Sequence, residues 1–206
     1  WGIESDYGNN TGDFLVIQSL ATLAYEGRRA KFFGEELLAA LTIMQSENIP
    51  ASDLVGSWAG AMGNCQFMPS TYLRFAADGN GDGRRDIWNS PEDTFASIAS
   101  YLHSLGWNPQ IGWGDKAYTP HHFKPRTDGL KRGKTATSWH KQGVSYADSR
   151  TNMLPGGTIL YAIHPGSTER GVYLVTENFK ALLHWNRSRY FATAVGTLAD
   201  AIGEQP

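Results

Sequence analysis

The sequence predicts an α+β fold that is predominantly α, and three observations predict it. Apolar residues recur at helical spacing in 14–44, 95–105 and 191–202. Two apolar, β-branched runs flank a Pro-Gly-Ser turn within 158–176. No internal repeat points to a solenoid or propeller.

The elements follow in order. Phe14, Ile17, Ala21 and Ala24 mark a first helix, and Phe33, Leu37, Leu41 and Met44 a second. Gly27, Arg28 and Arg29 separate them. Residues 50–70 are rich in Gly and small side chains and read as loop and short helix. Pro69 and Ser70 then open a helix carrying Tyr72, Leu73, Phe75 and Ala76. Ser90, Pro91, Glu92 and Asp93 form a strong helix start, with Ser at the cap, Pro first and acids in the first turn. The stripe Phe95, Ile98, Leu102 and Leu105 follows, and Gly106 stops it. Residues 106–155 are polar, and Lys116, Lys124, Arg126, Lys131, Arg132, Lys134 and Lys141 make them locally basic; they read as solvated loops. The runs 158–163 and 171–176 predict a β-hairpin. Phe191, Val195, Leu198 and Ile202 mark a closing helix ended by Gly203. The expected organisation is a core over 1–105, a β-rich or irregular insertion over 106–176, and closing helices over 177–206 that return to the core.

Composition sets limits. With 206 residues and 41% hydrophobic content a substantial core can form. A formal net charge of -2 gives no global electrostatic case for nucleic acid. Aromatic residues are frequent, with 7 Trp, 9 Tyr and 9 Phe, and any exposed ring among few charges suits stacking on sugars. The single cysteine, Cys65, permits no intrachain disulfide and reads as a small buried hydrophobe. No apolar run is long enough to span a bilayer, and no signal peptide is visible. The chain opens at Trp1, inside what reads as a site element, so a processed or truncated polypeptide with sequence upstream is expected.

Three segments carry chemistry. In the first, Glu4 lies between Trp1 and Ile3 on one side and Tyr7 on the other. A carboxyl held against apolar surface has its pKa raised, because burial penalises the charged form. That is the state a general acid needs near neutral pH. The plain alternative is a surface Glu in a turn ended by Gly8. The second segment runs from Ser57 to Ser70 and reads as a binding wall. Gly60 and Gly63 admit a close ligand, Gln66 offers donors and an acceptor to hydroxyl and acetamido groups, and Phe67 and Met68 supply an apolar floor. The alternative is a packed helix-loop-helix corner. The third segment begins Asp78-Gly79-Asn80-Gly81-Asp82-Gly83 and matches the first half of an EF-hand calcium loop. Asp78, Asn80 and Asp82 present oxygens at positions one, three and five. Gly83 allows the turn, and Arg84 offers its backbone carbonyl. The usual bidentate Glu is replaced by Asn89. Glu92 and Asp93 are the nearest carboxylates, and Asp93 is favoured as the closing ligand, although it also suits a helix start.

Together these segments resemble the lytic murein transglycosylases of the B type. That family has a Trp-Gly-x-Glu-x-x-Tyr/Trp-Gly opening, an Ala-Gly-Ala-Met-Gly-x-x-Gln-Phe-Met-Pro-Ser wall and a modified EF-hand before Ile/Leu-Trp. All three are present here, and Trp185-Asn186-Arg187-Ser188 with Tyr190 and Phe191 fits the closing pattern. The resemblance spans nearly the whole chain and is weakest over about 110–155. It implies a lysozyme-like fold and cleavage of the β-1,4 bond between N-acetylmuramic acid and N-acetylglucosamine, leaving a 1,6-anhydromuramic end. Glu4 would be the single catalytic residue, acid then base, with no catalytic cofactor; Asp6 would be peripheral. Ser57, Gln66, Tyr101 and Asn186 would line the glycan groove, with Trp185 where the family has Tyr. Calcium would be structural. The resemblance further implies peptidoglycan strands as partner, no nucleic acid, cell-wall enzyme complexes, a monomeric state, and the periplasm or periplasmic face of a Gram-negative outer membrane. The rival readings are a hydrolytic muramidase on the same fold and a non-catalytic peptidoglycan-binding module.

Overall fold

The computed structural model describes residues 1–126, 128–147, 154–155, 157–166 and 171–203. Its contacts divide the chain into two compact units, Trp1–Tyr101 and Leu102–Pro206.

The first unit opens with a single helical turn, α1 (Gly2–Ser5), closed by Asp6 and Tyr7 in left-handed conformations. Two short strands, β1 (Phe14–Leu15) and β2 (Val55–Gly56), pair antiparallel and bracket α2 (Val16–Glu26) and α3 (Ala30–Glu47). Gly27, at φ 91, ends α2. Phe14 therefore belongs to a strand, not to the first turn of a helix. The buried face of α3 also differs from the expected stripe: Phe33, Glu36, Ala40 and Ile43 point inward, while Leu41 is 45% exposed. The reason is Glu36, which is only 4% exposed. Its carboxylate accepts the Ser70 N–H at 2.9 Å and the Ser70 hydroxyl at 2.7 Å. Ser70 stands in the first turn of α4 (Pro69–Phe75), whose N-cap Met68 supplies no side-chain acceptor. Pro69 lacks an N–H, so Pro69 and Glu36 together remove two unmet donors from this helix start. Helix α5 (Pro91–Ser104) begins as expected, with the Asp93 N–H donating to Ser90 Oγ at 3.1 Å.

The second unit holds more sheet than the sequence suggests. Strands β3 (Gly114–Tyr118), β4 (Lys134–Thr135), β5 (Ser145–Tyr146), β6 (Ile159–Ile163) and β7 (Val172–Val175) form one antiparallel sheet in the order β4-β6-β7-β3-β5. The expected hairpin is present as β6–β7, with Tyr161 opposite Val175; Ser167 of its turn lies outside the described residues. Both faces are covered. Tyr161, Ile163 and Val175 pack with Trp113 and with Phe179, Leu182 and Ala192 from α7 (Glu177–Trp185) and α8 (Arg189–Gly203). Leu160, Ala162, Val172 and Leu174 pack with Trp139 and Val144 on the opposite face, where α6 (Ala136–His140) lies. This alternation is the period-two pattern of a sheet buried on two sides. The closing helices thus share a core with the sheet of the second unit and with Leu102 near the end of α5.

Candidate active site and oxygen-rich loop

Glu4 is half-buried in α1, one residue before the buried Ser5. The turn around it closes on itself. Ser5 Oγ donates to the Trp1 carbonyl at 3.2 Å, while the Gly8 and Asn10 N–H groups donate to the Ser5 carbonyl at 3.0 and 2.8 Å. Rings crowd the same turn, with Trp1 edge-on to Tyr7 at 5.3 Å and to Phe95 at 5.2 Å. A Cβ at Gly2 would lie 2.6 Å from the Tyr7 ring, so only glycine lets that ring fold over the helix. Asp6, the neighbouring carboxyl, is exposed.

The wall is built from a tight loop. Ser57 Oγ accepts the Ala61 N–H at 3.0 Å, and Met62 pairs with both Gly56 and Phe67 as isolated bridges. Gln66 takes a left-handed conformation (φ 49), and its Nε2 donates to the Gly63 and Thr11 carbonyls at 2.9 and 3.0 Å. Its amide donors thus hold the loop together, and its Oε1 accepts no hydrogen bond among the described residues. Phe67 is 3% exposed and lies 5.8 Å from the Tyr101 ring. It backs the wall from inside, which corrects its expected place on the glycan floor. Met68 stays half-buried at the N-cap of α4. Tyr101 is half-buried, packs edge-on against Phe75 at 5.0 Å, and its phenol is pushed up by burial. Trp185 and Asn186 belong to the second unit, at the end of α7. Asn186 is exposed and its Oδ1 accepts the Ser188 N–H at 3.0 Å.

Two residues escaped the sequence reading. Trp58, beside Ser57, is 64% exposed and offers a ring on the wall. Asn64 is buried and joins three segments. Its Oδ1 accepts the Trp1 indole N–H at 3.2 Å, and its Nδ2 donates to the carbonyls of Ile87 and Trp88 at 3.1 and 3.0 Å. The available signal was a second amide, beside Gln66, inside an otherwise small and apolar run. Cys65, next to it, is fully buried, donates to the Thr94 carbonyl at 3.6 Å, and has its thiol pushed up to about 12, chiefly by burial with the Glu4 charge adding to it.

The loop after α4 winds around its own side chains. Asp78 Oδ1 accepts the N–H groups of Gly81 and Asp82 at 2.6 and 3.2 Å, and Oδ2 that of Gly83 at 2.8 Å. These bonds, Gly83 foremost, hold the Asp78 carboxyl below its usual range. Asn80 Oδ1 accepts the Asp82 N–H at 2.9 Å, and Asp82 Oδ1 the Arg84 N–H at 2.8 Å. Asp78, Asn80 and Asp82 therefore offer the hard oxygen donors calcium prefers, and the Arg84 carbonyl is of the same kind. Asp93 is engaged by the loop backbone. It is 0% exposed, and its oxygens accept the Gly79 and Asp86 N–H groups at 2.9 and 2.7 Å. Asp93 thus braces the loop backbone, and among the described residues no three acidic, His or Cys side chains stand together as a metal-holding group.

Comparison with known proteins agrees with this geometry. The family described as a transglycosylase SLT domain matches residues 1–200. The membrane-bound lytic murein transglycosylase B of Escherichia coli (strain K12) is 40% identical over 204 residues, covering 98% of this chain and 54% of that protein. SltB3 from Pseudomonas aeruginosa, solved in complex with NAG-anhNAM-pentapeptide, superposes with a TM-score of 0.89 at 42% identity, covering 99% of this chain and 55% of that one. The Escherichia coli lytic transglycosylase Slt35, solved in complex with calcium, superposes with a TM-score of 0.78 at 29% identity, covering 98% and 63%. The chain spans about half the length of the curated relative it matches. With the Glu4 turn, the Ser57–Ser70 wall and the oxygen-rich loop all present in one unit, and a match across 1–200, the chain belongs to the transglycosylase SLT domain family, among the B-type lytic murein transglycosylases.

Proposed function

We propose that this chain is the catalytic part of a peptidoglycan lytic transglycosylase and that Glu4 is its acid and base. The observation that carries this reading is that Glu4 is half-buried in a turn crowded by the rings of Trp1, Tyr7 and Phe95, while its neighbour Asp6 is exposed. The relative captured with NAG-anhNAM-pentapeptide supports it. Glu4 gives its proton to the glycosidic oxygen as the bond to the muramic C1 breaks. The muramic C6 hydroxyl adds to C1, and its proton passes to the Glu4 carboxylate. The product carries a 1,6-anhydro bridge, no water is consumed, and Glu4 ends protonated as it began. A second carboxylate is therefore not needed, unlike in hydrolases that use a carboxylate pair. Ser57, Gln66 through its Oε1, Met68 and Tyr101 contact the glycan in the first unit; Trp185 and Asn186 of the second unit are glycan-binding residues on the family resemblance alone. Phe67 acts behind the wall.

A relative described as a muramidase/transglycosylase keeps hydrolysis as the second reading. The two differ in product. Mass spectrometry of purified sacculi digested by this chain is expected to yield anhydro-muropeptides that vanish with Glu4→Gln. Reducing-end products lost in the same variant would make it a hydrolytic muramidase, and binding without any product would make it a binding module.

Calcium would be held by Asp78, Asn80 and Asp82 side chains and the Arg84 carbonyl, supplying neutralisation of the loop's negative charge and no catalytic chemistry. The Slt35 complex with calcium supports this assignment. The proposed location is the periplasm or the periplasmic face of the outer membrane of a Gram-negative bacterium, a reading supported by the likeness to the membrane-bound transglycosylase B of Escherichia coli. No helix among the described residues is long and apolar enough to cross a membrane. The working state is a monomer acting on glycan strands, alone or within cell-wall enzyme complexes, without nucleic acid.

A further inference from the structure

We propose that the second unit carries a carboxylate-binding cleft for the peptide stem of peptidoglycan. This rests on the reading of the substrate given above but concerns a different part of the chain from Glu4. The cleft is a cavity of about 160 Å³ beside the 3₁₀ turn Gly129–Lys131. Lys124, Arg126, Arg132 and Lys134 line it, and among the described residues no carboxylate does. Phe123 and Trp139 supply apolar surface.

One carboxylate lies just behind the rim and organises it. Asp128 Oδ1 accepts from Arg126 Nε at 3.0 Å, and Oδ2 accepts from Arg132 Nε at 2.7 Å. Each guanidinium is thereby held at its inner nitrogen. The terminal amino groups of both make no hydrogen bond among the described residues and remain as a fork for an incoming anion. Four cations face one carboxylate here, in a chain whose formal net charge is -2. The positive charge is local and set at a cavity.

The surroundings are fixed rather than loose. A Cβ on Gly129 would lie 2.3 Å from the Ala162 carbonyl, so the turn rests directly on β6. The Gly129 N–H donates to the Arg126 carbonyl and the Arg132 N–H to the Gly129 carbonyl, both at 3.0 Å, which sets the separation of the two arginines. The Trp139 indole N–H donates to the Leu160 carbonyl at 2.9 Å and orients its ring. Lys134 Nζ lies 4.6 Å from the centre of that ring and donates to Gln142 Oε1 at 2.8 Å.

Charge and size select the ligand. Neutral sugar hydroxyls gain little from four cations. A nucleic acid needs a basic stripe, not a cavity with room for about five water volumes. A carboxylate on a small apolar amino acid fits both the cationic fork and the aromatic surface. The peptide stem is the part of peptidoglycan that carries such groups, and one relative was solved with NAG-NAM-pentapeptide.

The test uses the whole chain with Glu4→Gln, so that binding is read apart from cleavage. Calorimetric titration with the free pentapeptide stem is expected to show binding that weakens with salt. Amidating the peptide's carboxyls, or the double change Lys124→Glu with Arg126→Gln, is expected to weaken it at least tenfold. Lys124→Glu alone, at an exposed side chain, serves if the double variant fails to fold. Equal affinity for the acid and amidated peptides, or for the parent and variant chains, overturns the proposal. So does loss in the variant of binding to phosphatidylglycerol vesicles while peptide binding stays unchanged, which makes the cleft a lipid-headgroup site. Cleavage of peptide-free glycan strands by the chain with native Glu4 tests the catalytic reading separately. The cleft variants are expected to retain that cleavage.

Discussion

The Trp1 indole N–H donates to Asn64 Oδ1 at 3.2 Å, and the other end of the same amide holds the Ile87 and Trp88 carbonyls. One side chain thus fastens the Glu4 turn to the wall and to the exit of the oxygen-rich loop. Asn64→Leu keeps the size but leaves the indole N–H and the Trp88 carbonyl without this partner. A loss of about 1–3 kcal/mol in urea denaturation is expected, with a matching fall in sacculus cleavage. A loss below about 0.5 kcal/mol would mean that the network does not hold the turn.

The same network links the loop to overall stability. Calcium bound only by the folded chain stabilises by mass action, by about 2.7 kcal/mol at a hundredfold excess over Kd. Excess chelator is expected to lower Tm by several degrees while leaving the bond cleaved unchanged. Asp78→Ala is expected to make Tm indifferent to chelator. An unchanged Tm in the parent chain would remove the metal assignment.

Burial sets the behaviour of Cys65. With its thiol at about 12, only roughly 10⁻⁴ of it is thiolate at pH 8, and the thiolate is the reactive form. A disulfide exchange reagent is expected to label the native chain only as fast as the chain opens, and at once in denaturant. Rapid labelling of native protein would contradict the packing around Thr94.

Asp128 gives the acid-side prediction. Its bonds to Arg132 and then Arg126 hold its carboxyl at about 2, below the ordinary 3.8. A group lowered in the folded state contributes stability above its ordinary value and loses it as pH falls through the folded one. The Asp128–arginine tie is therefore intact at neutral pH and dissolves between about 4 and 2. The Asp128 carboxyl carbon shift, followed by NMR, is expected to titrate near the lower end, and Arg132→Ala is expected to move that midpoint upward. A midpoint near 4 in the parent chain would remove the tie.

Legibility in the sequence followed the range of the interactions. The Ser90–Pro91 start, the end of α2 at Gly27 and the β6–β7 hairpin were readable because local geometry dictates them. Strand β3 was not: Gly114–Tyr118 is polar and becomes a strand through partners such as Val175 opposite Gly114, far along the chain. Phe14 was assigned to a helix because spacing cannot show that Gly56 lies opposite it. The motif residues of the candidate site stood out by type and order, but their duties did not. Gln66 spends one donor on Thr11 beyond its own segment and one on Gly63 within it, Phe67 turns inward toward Tyr101, and Asp93 braces the backbone of Gly79 and Asp86.

The Glu36–Ser70 contact has a consequence for descent. Helix α4 begins on an acceptor that belongs to another helix, so positions 36 and 70 share one fate. A lineage that loses the acid alone strands the Ser70 donor, and one that loses the serine hydroxyl alone leaves a buried carboxylate short of a partner. Each single step is costly where the joint replacement is mild. Variation at the two positions is therefore expected to be tied together across relatives, although they stand thirty-four positions apart in the chain.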